Sequence, residues 1–82
     1  MDIFSVGCVL VEMFADGRLI PFNLSQAIDY KRMDEHSARH YIRRIISDIP
    51  PEFHELLTIM LDRNPVRRRE EFFKVVLILF IQ

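Results

Sequence analysis

The chain has 82 residues, 50% apolar and 28% charged, a globular composition long enough for one small domain that buries roughly 60–65% of its unfolded surface. A two-domain enzyme is excluded at this length. With 11 Lys and Arg against 12 Asp and Glu, the formal net charge is -1, so no overall field draws nucleic acid or anionic lipid; the single cysteine, Cys8, rules out an internal disulfide or a thiolate metal cage and fits a reducing, cytoplasmic setting.

Residues 2–15 are mostly apolar, and at about 100° per residue Asp2, Ser5, Glu12 and Asp16 fall on one narrow stripe. This predicts a helix that is apolar over most of its girth, the kind normally found deep in a larger body. Asp2 suits its N-cap and Gly17 the position just past its end, and Cys8 within it reads as a small core hydrophobe. A loop around Pro21 follows. Asn23, with Gln26 three residues on, has the spacing of a capping box and opens a short helix to about Arg32.

Asp34 is the expected cap of a longer, superficial helix in which Ala38, Tyr41, Ile42, Ile45 and Ile46 share one face. His36 and His40 stand four apart on it, a spacing two zinc ligands can use. Ser37, Ala38 and Arg39 between them lack the catalytic glutamate, however, and Arg39 would repel a cation, so they read as a solvated face. Pro50 and Pro51 break that helix, and Pro51 can open the next one, where Phe53, Leu56, Leu57, Met60 and Leu61 repeat the helical spacing. Asn64 and Pro65 stop it and start a last helix, from about Val66. Its apolar end, residues 75–81, is ambiguous by periodicity and far short of the roughly 20 residues that cross a bilayer. The fold expected is all-α, with about five helices. Met1-Asp2 opens acidic, which is unlike a secretory leader.

Arg63, Arg67, Arg68 and Arg69 crowd the start of the last helix, where cations oppose the helix dipole. An ion pair is therefore expected, with Glu70 and Glu71 as candidate acids. A nucleic-acid patch is disfavoured because no aromatic stacking platform is interleaved with the arginines. No nucleophile is grouped with a base.

Two stretches converge on a family. Asp2-Ile3-Phe4-Ser5-Val6-Gly7-Cys8, with Glu12-Met13 after it, resembles the opening of the central C-lobe helix of eukaryotic protein kinases, Phe4 standing where the family has Trp. Asn64-Pro65-Val66-Arg67-Arg68 resembles that family's Asp-Pro-x-x-Arg. The stretch Phe14-Ala15-Asp16-Gly17-Arg18-Leu19-Ile20-Pro21-Phe22-Asn23-Leu24-Ser25-Gln26, with Tyr30-Lys31 beyond it, is similar to the kinase-like regulatory subunits of the class III phosphatidylinositol 3-kinase, the vacuolar-protein-sorting Ser/Thr kinases.

The resemblance implies a partial protein-kinase-like domain over residues 1–82, running from the central helix to the last helices of the C-lobe. Its site residues are structural: Asp2, Gly7, Glu12, Asn64, Pro65 and Arg68. Asp2 would accept backbone N–H bonds from the catalytic loop, or serve as a plain N-cap. Arg68 would pair with a glutamate that follows the activation loop, upstream of Met1. Phe22 and Leu24 would lie where such lobes dock partners, or pack in the core.

Phosphoryl transfer needs a glycine-rich cover for the phosphates, a strand lysine, a catalytic Asp with its Asn, and a metal-binding Asp. Gly7 and Gly17 cannot build that cover, and Lys31 and Lys74 lie outside any strand pattern. No catalytic motif is present, so ATP and magnesium would belong to a complete parent kinase domain. The resemblance further implies scaffolding, with the lipid-kinase catalytic subunit as partner through the parent and only indirect attachment to endosomal or autophagic membranes. Two rivals are a self-sufficient helical interaction module and a small helical DNA binder using the arginines.

Overall fold

The computed structural model describes residues 2–15 and 23–81, the side chain of Leu24 excepted. These residues form five α-helices and no strand: α1 (Ile3–Phe14), α2 (Leu24–Arg32), α3 (Glu35–Ile46), α4 (His54–Met60) and α5 (Pro65–Ile81). A single 3-10 turn at Pro51–Phe53 leads into α4. The all-α expectation therefore holds. Gly17 and Phe22 lie outside the described residues, as does the side chain of Leu24, and with them the end signal and docking role expected there.

Local chemistry explains most helix boundaries. The Asp2 carboxylate accepts the Phe4 amide at 3.3 Å and so starts α1. The capping box forms at α2: Asn23 Oδ1 accepts the Gln26 amide at 2.8 Å, and Gln26 Oε1 accepts the Asn23 amide at 3.0 Å. Asp34 stands at the N-cap of α3; its side chain makes no cap hydrogen bond of full geometry, but Ser37 in the first turn holds its carboxyl below the usual carboxylate range. Pro51 opens the 3-10 turn rather than α4 itself; His54 Nε2 donates to Ile49 O at 2.6 Å and ties the new helix to the end of the old one. Asn64 Oδ1 accepts the amides of Val66 and Arg67 at 3.0 and 3.1 Å and caps α5.

The core gathers one stripe from each early helix. Val11 of α1, Tyr30 of α2, Ala38, Ile42, Ile45 and Ile46 of α3, and Leu57 of α4 with Leu61 beyond its end are buried together. Fully burying each Leu or Val contributes about 1.5–3 kcal/mol. Tyr30 is central: its ring stacks between Phe4 and Tyr41, with centroids at 6.3 and 5.8 Å, and its hydroxyl donates to Leu61 O at 2.5 Å. Burial pushes that hydroxyl up to about 12, a shift the nearby Arg63 opposes.

The helix α1 is covered on one side only. Gly7 and Val11 are buried, Phe4, Cys8 and Leu10 are half-buried against the core, Phe14 packs its ring on Phe53 at 4.8 Å between centroids, and Val9 and Met13 are 54% and 69% exposed. Burial raises the Cys8 thiol, and Asp2 raises it further, so the group stays a neutral thiol. The ambiguous apolar tail is helical. No residue of α5 is buried, and from Val76 onward the large apolar side chains lie open, Phe80 at 88%.

At Gly7 the close approach of α4 leaves no room for a side chain. A Cβ there would stand 3.0 Å from Met60 Cβ and 3.1 Å from Leu61 Cδ2. Met60 Cβ is fixed to its backbone, so α4 itself must shift. Gly7→Ala therefore trades a helix-propensity gain of up to about 1 kcal/mol against overpacking of about 1–3 kcal/mol. The expected result is a lower urea midpoint at constant slope; an unchanged or higher midpoint would show that the helices are not in contact at this point.

Candidate functional site

Two clusters of charge meet at the junction between α1, α3, α4 and α5. The first is the corner formed by Asp2 and Arg68. Arg68 leaves the first turn of α5 and lays its guanidinium over the Phe4 ring, 5.5 Å from the centroid. Its Nη1 donates to Asp62 O at 2.7 Å, while Nη2 lies 3.6 Å from Asp2 Oδ1, within ion-pair reach but too long for a hydrogen bond. Nε is buried with no hydrogen-bond partner among the described residues. The Arg68 side chain is 13% exposed and that of Asp2 is 56% exposed. The corner thus holds a buried donor still unmet and a carboxylate still open to solvent. Such a pair can hold an extended segment through its backbone amides and an acidic side chain.

The second cluster binds α3 to the α4–α5 turn. Asp62 takes Arg67 in a two-pronged bond, Nε to Oδ2 at 2.5 Å and Nη2 to Oδ1 at 2.9 Å. Glu35 is shared by Arg63 at 3.0 Å, Arg67 at 3.3 Å and Arg39 at 3.7 Å. Arg63 Nη1 also donates to Met33 O and, at 3.4 Å, to Tyr30 O, and the guanidinium sits 5.8 Å from the Tyr30 ring centroid. Burial pushes the Asp62 carboxyl up, but Arg67 and the Asn64 amide outweigh it and hold it below the usual carboxylate range. Asp62, through its bond and its charge, keeps Arg67 firmly protonated.

The acids that pair these arginines are thus Asp2, Glu35 and Asp62. Glu70 and Glu71, named from sequence, do not reach them; Glu71 pairs with Lys74 at 3.1 Å. The reason is geometric. Glu70 and Glu71 stand three and four positions after Arg67, within reach along a helix, but the Arg67 fork is turned back onto Asp62 and Glu35 and that of Arg68 onto Asp62 O and Asp2, which come in from the preceding turn, α3 and α1.

The remaining residues singled out from sequence are dispersed. Gly7 is the contact point of α1 on α4, Glu12 is exposed on α1, and Asn64 and Pro65 form the cap and first residue of α5. Only Asp2 and Arg68 come together, and they meet each other, which sequence reasoning did not foresee. His36 and His40 are exposed on α3. Lys31 and Lys74 lie in helices. No group of three His, Cys, Asp or Glu among the described residues is placed to hold a metal ion, and no helix among them is long and apolar enough to cross a membrane.

Known proteins share this sequence in part. The probable serine/threonine-protein kinase vps15 of Dictyostelium discoideum is 41% identical over 68 residues, which covers 83% of this chain and 3% of that protein. The serine/threonine-protein kinase VPS15 of Saccharomyces cerevisiae is 38% identical over 68 residues, 83% of this chain and 4% of its own length. That of Arabidopsis thaliana is 33% identical over 69 residues, with the same 83% and 4% coverage. The chain is homologous to a short segment of the VPS15 serine/threonine-protein kinases. It spans only 3–4% of the length of these relatives. No protein-family model and no solved structure matches it. The all-α arrangement is consistent with the helical C-lobe of a protein kinase.

The depressed Asp62 carboxyl has a direction in pH. Its folded form lies below the unfolded value of about 3.9, so its contribution is complete above that pH and is lost as the carboxyl is protonated below it. Asp62→Asn is expected to lower stability at neutral pH and to flatten the loss of stability as pH falls below about 4. Denaturation at several pH values checks this, and an acid limb as steep as in the parent chain would contradict it.

Proposed function

We propose that the chain acts as a scaffolding part of a kinase-like regulatory subunit in a class III phosphatidylinositol 3-kinase complex, and performs no catalysis by itself. The observation that carries this reading is the 33–41% identity to VPS15 kinases over 83% of the chain. Two features support it. The outer face of α1 presents Val9 and Met13 to solvent, as a central lobe helix stripped of its covering segment would. The Asp2–Arg68 corner keeps an unmet donor and an open carboxylate where a kinase lobe seats its catalytic loop and activation segment.

In this reading the partner is the lipid-kinase catalytic subunit, reached through the longer polypeptide. Location is cytoplasmic, at endosomal or autophagic membranes, again through that assembly. ATP and magnesium are bound by the complete kinase domain and not by these residues, because phosphoryl transfer requires groups outside them. A second reading, a self-sufficient helical interaction module, is favoured by the closed core from Val11 to Leu61.

One experiment separates the two. An antibody against the chain should detect a native polypeptide far larger than 9.8 kDa that co-purifies with phosphatidylinositol 3-kinase activity, and the purified 82-residue chain should transfer no radiolabelled phosphate to a protein substrate. A native species of 9.8 kDa without lipid-kinase activity would favour the module instead.

A further inference from the structure

Between α2, α3 and the α4–α5 turn lies an open recess of about 490 Å³, separate from the Asp2–Arg68 corner. Its floor is apolar, formed by Ala38 and Ile42, both 4% exposed. Its rim is charged: Arg39, Arg43, Arg63 and Arg67 converge on it, and only Glu35 and Asp62 oppose them. The protein as a whole is slightly acidic, so this surplus of guanidinium is a local construction.

The two carboxylates are already committed. Asp62 is taken by Arg67, and Glu35 is divided among Arg63, Arg67 and, at 3.7 Å, Arg39. Each guanidinium carries five N–H donors in a planar fork, more than the oxygens of two carboxylates can accept. Arg43 has neither a hydrogen bond nor an ion pair among the described residues, and Arg39 has only the long contact, with its side chain 70% exposed. These two stand one helical turn apart on α3, so their forks can close on one ligand from the same side. Arg63 and Arg67, held by their carboxylates, form a rigid opposite wall.

We propose that this recess binds a phosphorylated side chain of a peptide segment. A phosphoryl group brings a charge of about -1.5 to -2 and three strong acceptor oxygens, which matches the unspent donors of Arg39 and Arg43 better than a single carboxylate does. The apolar floor suits the rest of a peptide. A membrane surface fits poorly: the arginines line a concavity flanked by Glu35 and Asp62, and a bilayer needs a continuous basic face.

The test uses the full chain, a fluorescent alanine pentapeptide with a central phosphoserine, the same peptide with serine or aspartate, and inorganic phosphate as competitor. Saturable binding of the phosphoserine peptide is expected, with the aspartate peptide weaker and the serine peptide silent. Arg39→Ala and Arg43→Ala should each weaken binding about tenfold, with circular dichroism unchanged because both side chains are exposed. Arg69→Ala, exposed on α5 and outside the recess, removes the same charge and should leave affinity within about twofold. Equal loss in all three variants would reduce the effect to net charge and overturn the proposal. So would equal binding of the serine peptide, no binding at about 1 mM, or full displacement by phosphatidylserine vesicles at lipid concentrations where inorganic phosphate does not compete.

Discussion

With no side chain at Gly7, α1 lies so close to α4 that a Cβ there would come within 3.0 Å of Met60 Cβ. The rest of the structure depends on that approach. It seals Val11, Leu57 and Leu61 from water, and it holds Leu61 O where the Tyr30 hydroxyl reaches it. Tyr30 in turn fixes α2 to the end of α4, and the chain after Leu61 turns through Asp62 and Arg63 into the Asn64 cap. Apart from Glu35–Arg39, which lies within α3, the charged contacts of the junction hang from that turn and the helix it starts, so the packing of two apolar helices sets the position of the polar groups, and not the reverse. Packing tolerances give the energetic reason: interiors are close-packed, and a single methyl in the wrong place displaces an element.

The same approach explains why α1 is only half covered. The side of α1 facing α4 and the core carries Phe4, Gly7, Cys8 and Val11, whereas Val9 and Met13 point away. A helix shaped for one neighbour would be polar on its outer side. Here that side retains large apolar groups beside Ser5 and Glu12, and Arg68 nearby keeps a buried N–H with no acceptor among the described residues. Leaving such a donor unmet costs about 1–3 kcal/mol. Both features are unfavourable in this chain alone and become favourable once a further segment supplies apolar cover and an acceptor. The VPS15 kinases that share this sequence are far longer, the chain matching only 3–4% of their length.

Much of the fold was legible from local signals. The Asp2 cap, the Asn23–Gln26 box and the Asn64 cap involve residues two or three apart, and the faces of α3 and α4 follow from spacing alone. Asp34 too stands at the cap position expected of it, with Ser37 three residues on holding its carboxyl below the usual carboxylate range. The apolar end of α5 could not be assigned by periodicity, since a run of uniformly apolar residues has no face to reveal. The charged junction was the least legible part. Glu35 lies 28 positions before Arg63, and no pattern in one sequence couples them. Arg68 could be singled out by family resemblance, yet its meeting with Asp2 arises only because α4, packed on both α1 and α5, brings the start of one near the start of the other.

The central claim is that the outer face of α1 is built to be covered by chain beyond these residues. Met13 reports on it directly, being 69% exposed, while Met60 at 3% serves as an internal reference. Oxidation of both by dilute peroxide, followed by peptide mass spectrometry, should be compared between the 82-residue chain and the native polypeptide recovered from cells. The account predicts that Met13 is oxidised far faster than Met60 in the short chain and slows toward the Met60 rate in the native polypeptide. Equal, fast oxidation of Met13 in both would contradict it.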